Sequence, residues 1–313
     1  MIKDWRFGKL ISRPMRASLV LFCLCCVVAA MSVTAIADET KPSPPKLSQN
    51  PFAAHNAYPW RFYRPGRFER ALDAGLKYLE VDVTYDPKRK RVVATHDGKP
   101  RGGEPELGKL LEPLWKRWGE SDQRGYTLII DFKTTSTELA RGLQAIIEPH
   151  AELLSTMQNG EPKSFQEGKI TVCLTGSDRC QVLYAEAIGD GGRLLAFGDY
   201  GCSDWRKDAD SYVPKQPPDF DRFLTCNITC FRRSPEARGI DSISDKRLRR
   251  VALLARQRGY RMRVYTINPA TGEDGKLKDK IWRQCVEAGV PMISTDRYKD
   301  SRDWWQRYVR EHQ

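Results

Sequence analysis

Apolar and polar residues alternate along Tyr78-Leu79-Glu80-Val81-Asp82-Val83-Thr84, with the two-residue period of a β-strand. Residues two apart share a face, so Glu80 and Asp82 must point the same way. Side by side on a buried strand, two carboxylates repel each other and lose hydration, which is costly unless a cation lies between them. An oxygen-only donor set suits a hard divalent ion such as Mg²⁺ or Ca²⁺. A solvent-facing strand edge would show the same alternation. The neighbours argue against it: His55 lies upstream, His96-Asp97 follows, and Asp131-Phe132-Lys133 repeats the spacing.

Similar runs recur along the chain. The pattern predicts strands over 51–58, 78–85, 91–96, 127–132, 169–174, 194–197, 223–231, 261–267 and 290–294. Between them, apolar residues at helical spacing predict helices over 67–76, from Leu107 through Trp115 with Pro113 inside, and over 137–154, 179–187, 245–258 and 278–288. A closing helix is expected over 302–309. The stretch 198–218, rich in Asp, Tyr and Pro, reads as a long loop. The run 127–132 is almost continuously apolar, as in a strand covered on both faces. With 91–96 set aside as a short excursion, eight strands, most followed by a helix, within about 260 residues predict a single-domain α/β fold, the (β/α)₈ TIM barrel. A doubly wound open sheet is the competitor, and it lacks its glycine-rich nucleotide turn here.

The amino terminus does not belong to that domain. Lys3, Arg6, Lys9, Arg13 and Arg16 precede an apolar run over 17–30, and Ala35-Ile36-Ala37 offers a small-x-small site before Asp38. These are the parts of a cleaved export signal over 1–37, with an uncleaved membrane anchor as the alternative. A Pro-rich linker follows over 38–50, and the barrel is expected over 51–313. Removing the signal takes away five basic residues and one acidic one, and the net charge falls from +12 to +8. That favours an anionic membrane surface or a phosphorylated substrate. Nucleic acid is not expected, because the basic residues are scattered, and the densest group, Lys246 to Arg258, reads as the solvated face of a helix. Nine cysteines become six, an even number in an exported chain, so structural disulfides are expected first and free buried thiols second.

In a barrel the reactive residues gather where strands end and loops begin. His55 ends the first predicted strand, Glu80 and Asp82 sit in the second, and Asp131 and Lys133 end the next long one. His96 closes the short excursion between them. The other two histidines of the four, His150 and His312, are taken as solvent-exposed bystanders. One divalent cation, one Lys and two imidazoles suit cleavage of a phosphodiester. The cation and Lys133 would neutralise phosphoryl oxygens, one imidazole would accept a proton and the other would donate one.

The motifs Ala54-His55-Asn56, Leu79-Glu80-Val81-Asp82-Val83 and Val92-Val93-Ala94-Thr95-His96-Asp97 resemble the opening of the glycerophosphodiester phosphodiesterase-like superfamily. Val264-Tyr265-Thr266-Ile267-Asn268 and Ile293-Ser294-Thr295-Asp296-Arg297 are similar to its last two strands. His-Arg is usual in the glycerophosphodiesterases where this chain has His55-Asn56, and a subdomain is inserted there where Gly98–Leu107 is short. Asp131-Phe132-Lys133 is more similar to the altered-inheritance-of-mitochondria proteins and sphingomyelinase D toxins of the same superfamily. The resemblance implies metal ligation by Glu80, Asp82 and Asp131, with Mg²⁺ ahead of Ca²⁺. It implies acid/base roles for His55 and His96, phosphate contact by Lys133, and a phospholipid or glycerophosphodiester-type substrate. A non-catalytic barrel that binds head groups and a metal-independent phosphatidylinositol-type lyase are the alternatives.

Overall fold

The computed structural model describes residues 49–59, 66–202, 208–215, 219–234, 242–265 and 275–313. The predicted signal, most of the linker and Thr266-Ile267-Asn268 lie outside the described residues.

Eight parallel strands close into a barrel. They are β1 (Phe52–Ala54), β2 (Tyr78–Asp86), β4 (Tyr126–Phe132), β7 (Ile170–Gly176), β9 (Ala196–Cys202), β10 (Asp221–Asn227), β11 (Arg261–Tyr265) and β12 (Met292–Thr295). Each pairs with the next, and β1 seals the ring by pairing with both β12 and β2. A further strand, β3 (Arg91–Ala94), returns antiparallel along the second half of β2, so the two form a hairpin that rises from the ring. The helices α1 (Arg67–Asp73), α2 (Leu107–Glu120), α3 (Thr137–Ile147), α4 (Asp178–Ile188), α5 (Asp245–Gln257), α6 (Gly275–Glu287) and α7 (Tyr298–His312) connect them. This is the (β/α)₈ barrel that the pattern predicts.

The helices start where their caps allow. Ser136, Ser177 and Ser244 each accept a hydrogen bond from a first-turn backbone N–H of α3, α4 and α5, satisfying donors the helix cannot. Apolar stripes on α2 and α3 bury Leu107, Leu111, Leu114, Leu139 and Leu143 against the barrel wall. Aromatic rings fill the seam between α6, α7 and β1, with Phe52 edge-on to Trp282 at 4.8 Å.

Several expectations are corrected. α3 ends at Ile147 rather than Leu154, because Pro149 has no N–H to continue the ladder, and Glu148–His150 tightens into a 3₁₀ turn. The segments β5 (Thr156–Gln158), β6 (Glu161–Gln166) and β8 (Arg193–Leu194) form a small second sheet; no strand was predicted for β5 or β6, and the strand predicted over 194–197 divides between β8 and β9. The predicted long loop begins as strand, since β9 runs on to Cys202, and it includes a 3₁₀ turn at Ala209–Ser211. The closing helix is longer than expected and reaches His312. His150 is not a free surface group: its ring stacks on Trp115 at 4.5 Å. Nor is the basic face of α5 merely solvated. Arg249 bonds Asp245 at 2.6 Å and Glu287 at 3.0 Å, and Arg250 grips Asp210 through two bonds of 2.8 Å.

The six cysteines of the barrel are free and buried, so the disulfide expectation gives way to its alternative. Cys202 and Cys226 are register partners on β9 and β10, and the Cys230 thiol donates to the Cys202 carbonyl at 2.8 Å. The thiol of Cys226 beside Cys202 and that of Cys202 beside Cys230, with burial adding to both, push the Cys202 and Cys230 thiols up, away from the reactive thiolate form.

Candidate active site

Register brings the carboxylates together. Asp82 on β2 is the direct partner of Asp131 on β4, and Glu80 lies two residues back on the same inward face as Asp82. One oxygen from each of the three lies within 4.8 Å of the others. Glu80 is 2% exposed and Asp82 fully buried. Glu80 Oε2 and Asp82 Oδ1 accept no hydrogen bond in this pocket, although cations lie within ionic reach of both. Buried carboxylate oxygens left that way are costly, and three converging hard donors fit a divalent cation.

His55 sits just past the end of β1. Its backbone is anchored at three points: its N–H donates to Thr295 O at 3.0 Å, and its carbonyl accepts from Arg67 Nη2 at 3.0 Å and from the Tyr298 hydroxyl at 2.7 Å. The turn is completed by Asn56 at φ 51°, in the left-handed region that asparagine tolerates. The imidazole Nδ1 lies 3.2 Å from Asp296 Oδ1, and Nε2 lies 3.8 Å from Glu80 Oε2. His96 follows β3 at the foot of the hairpin, where the N–H of Thr95 bonds the Asp82 carbonyl at 3.0 Å. Its Nε2 is 4.0 Å from Asp82 Oδ2, and its side chain is 48% exposed. Lys133, one residue beyond β4, places Nζ 3.0 Å from Asp131 and 3.4 Å from Asp82. All six predicted residues therefore meet at the carboxyl-terminal mouth of the barrel.

The two imidazoles are driven in opposite directions. Burial lowers His55, but the charge of Glu80 and the hydrogen bond with Asp296 outweigh it, and the net pKa lies above the ordinary 6.5. Burial and the charge of Lys133 push His96 below that value, with Asp97 opposing only in part. Asp82 is pushed up to about 7 by burial and by its neighbours Glu80 and Asp131, against the pull of Lys133 and the Tyr58 hydroxyl, which donates at 2.6 Å. Burial also raises Glu80, yet the Arg263 guanidinium and His55 reverse this and hold it below its ordinary value. Lys133 stays firmly charged, because Asp131 and Asp82 outweigh its desolvation.

Five residues of the site carry no predicted role: Tyr58, Arg67, Arg263, Asp296 and Tyr298. Asp296 stands in a motif that signals the last strand, and its carboxylate joins the Arg67 guanidinium to His55. Arg263 had no visible signal. In Arg261-Met262-Arg263-Val264 the arginines alternate with apolar residues, a pattern that equally describes a strand with its polar face in water. Here that face is the barrel interior, where Arg263 is 2% exposed and pairs with Glu80.

No family model matches this chain, and no curated protein matches it. Solved structures do. A Ca²⁺-dependent phosphatidylinositol-specific phospholipase C from Streptomyces antibioticus superposes with a TM-score of 0.52 at 14% identity, over 81% of this chain and 96% of that one. A glycerophosphodiester phosphodiesterase from Parabacteroides distasonis gives 0.47 at 15% identity, over 83% and 97%. A glycerophosphoryl diester phosphodiesterase from the same organism gives 0.48 at 13%, over 87% and 88%. The fold is thus one also used by a phospholipase C.

Proposed function

We propose that this chain is a phosphoric diester hydrolase, exported from the cell, that cleaves a phospholipid or glycerophosphodiester-type substrate with His55 and His96 as acid and base. The observation that carries this reading is the pair of imidazoles set on either side of three converging carboxylates, one driven toward the protonated form and one toward the neutral. Environments that pull two titratable groups apart assign their roles. His55, kept protonated between Glu80 and Asp296, is the donor to the departing alkoxide. His96, kept neutral and open to solvent, accepts the proton of the attacking water or substrate hydroxyl. Asp296, itself gripped by Arg67, fixes the ring of His55.

A hard divalent cation held by Glu80, Asp82 and Asp131 would supply charge to neutralise the non-bridging phosphoryl oxygens. Lys133 adds a fixed positive charge at the same mouth. Pure binding of a head group needs no paired acid and base, which is why the catalytic reading is preferred to a binding module. The basic balance of the chain and its apolar, basic leader support export and contact with an anionic membrane. The fold shared with a phospholipase C is consistent with a phosphodiester substrate.

The test is direct. Purified mature protein is incubated with glycerophosphodiesters, lysophospholipids and phosphatidylinositol in Mg²⁺, in Ca²⁺ and in EDTA. Release of an alcohol or a phosphomonoester that EDTA suppresses is the expected result. Vesicle binding with no turnover on any diester would make the barrel a binding module.

A further inference from the structure

Arg263 is a fully buried cation in the barrel interior, on β11 opposite the carboxylates of β2. Its guanidinium is clamped at one side, where Nε donates to Ser294 Oγ at 2.9 Å, and its Nη2 lies against Glu80 Oε2. Nη2 makes no well-aligned hydrogen bond, and neither does the Glu80 oxygen it touches. The contact is a buried ion pair without the two parallel bonds of a bidentate fork. On the mouth side Lys133 donates a hydrogen bond to Asp131 at 3.0 Å and lies 3.4 Å from Asp82. Two resident cations thus hold three carboxylates in one place.

We propose that Arg263 is a positioning residue that competes with the divalent cation for Glu80 and sets its affinity low. This inference rests on reading Glu80, Asp82 and Asp131 as cation ligands. The argument is one of like charges. A divalent ion seated among the three carboxylates would share Glu80 with the guanidinium, and because both residues are buried the repulsion is weakly screened. To admit the ion, Glu80 must be released in part from Arg263. The barrel therefore keeps its carboxylate cluster folded without an ion and takes one up only when the supply is ample. Groups that touch metal ligands without binding the metal commonly shift affinity by about 10–100-fold. Here the sign is reversed from the usual case, because this neighbour is a cation.

The experiment is a calorimetric titration of the full barrel with Mg²⁺ and with Ca²⁺, comparing the parent with Arg263→Gln and Arg263→Lys. Gln retains a donor for Ser294 and Glu80 but carries no charge, and it should bind the ion about 10-fold or more tightly than the parent. Lys keeps the charge and should stay near the parent. If Arg263→Gln is folded by circular dichroism and binds no more tightly, the inference is overturned. Should that variant not fold, the parent decides. With ¹⁵N-labelled arginine, the buried Arg263 Nε–H resonance, assigned by its loss in Arg263→Lys, must move as the ion saturates, and an unmoved resonance overturns the inference. If the parent binds the ion and Arg263→Gln does so equally, only this inference falls. If neither binds an ion, the reading of the carboxylates as ligands falls first and takes this one with it.

Discussion

His55 and His96 differ in what surrounds them more than in what they are, and the difference is measurable. If the one is acid and the other base, kcat/KM should trace a bell. It rises as His96 loses its proton below pH 6.5 and falls as His55 loses its proton above that value. His96→Asn should remove the acidic limb and His55→Asn the alkaline one. Each variant should keep its fold and cation binding yet lose at least ~100-fold in kcat, with the double variant little worse than either. Initial rates across pH check this, and a variant at the parent rate would remove that histidine from the mechanism. Which residues formed the site was partly legible beforehand. A two-residue period puts Glu80 and Asp82 on one face wherever the strand lies. Polar residues at strand ends point to a barrel mouth. The residues that hold those groups were not legible, because Arg263, Tyr58 and Tyr298 act through contacts 24 to 243 positions away. Nothing local marks them.

At the scale of the element, the geometry of the carboxylates depends on how β4 and β7 end. Gly176 closes β7 at φ 90°, and a Cβ there would stand 2.3 Å from Asp131 Oδ1 and 2.5 Å from the Phe132 carbonyl. Gly176→Ala should therefore displace Asp131, weaken cation binding and cost about 1–3 kcal/mol of stability. Calorimetric titration and thermal melts test both halves, and an unchanged cation affinity would dissociate β7 from the site. At the start of β10, Asp221 is pushed up to about 6 by burial and by Asp199, Asp178 and Asp219. A carboxyl raised on folding stabilises below its ordinary pKa, and that contribution is lost as pH climbs through about 6. Asp221→Asn should thus stabilise the protein at pH 8 by about 1–2 kcal/mol, discounted for partial exposure, and have no effect near pH 4. A melting temperature unchanged at both pH values would show that the charge is not felt. Most elements could be read from periodicity, since a half-buried helix or strand must alternate. The small sheet could not, because β6 buries none of its six residues and so has no apolar face to betray it.

For the whole molecule, the expected mature form begins near Asp38. N-terminal sequencing of protein recovered from the cell envelope or medium checks this, and an intact leader would favour an anchored chain. The barrel itself was foreseeable because eight strand–helix alternations admit few closed arrangements. The state of the sulfurs was not, because an even number of cysteines is equally compatible with bridges and with burial. All six lie inside, so a native thiol titration should find almost none and a denatured one all six. A denatured count below six would restore a disulfide. Burial protects these thiols only while the chain stays folded, which gives the molecule a memory. Cys226 and Cys230 are four residues apart, so an unfolded chain exposed to oxidant can pair them with each other or with Cys202 before the strands re-form. A protein melted under reductant should return on cooling, and the same protein melted in air should not. Its working life under oxidising conditions is then set by how seldom it opens, rather than by how stable it is on average.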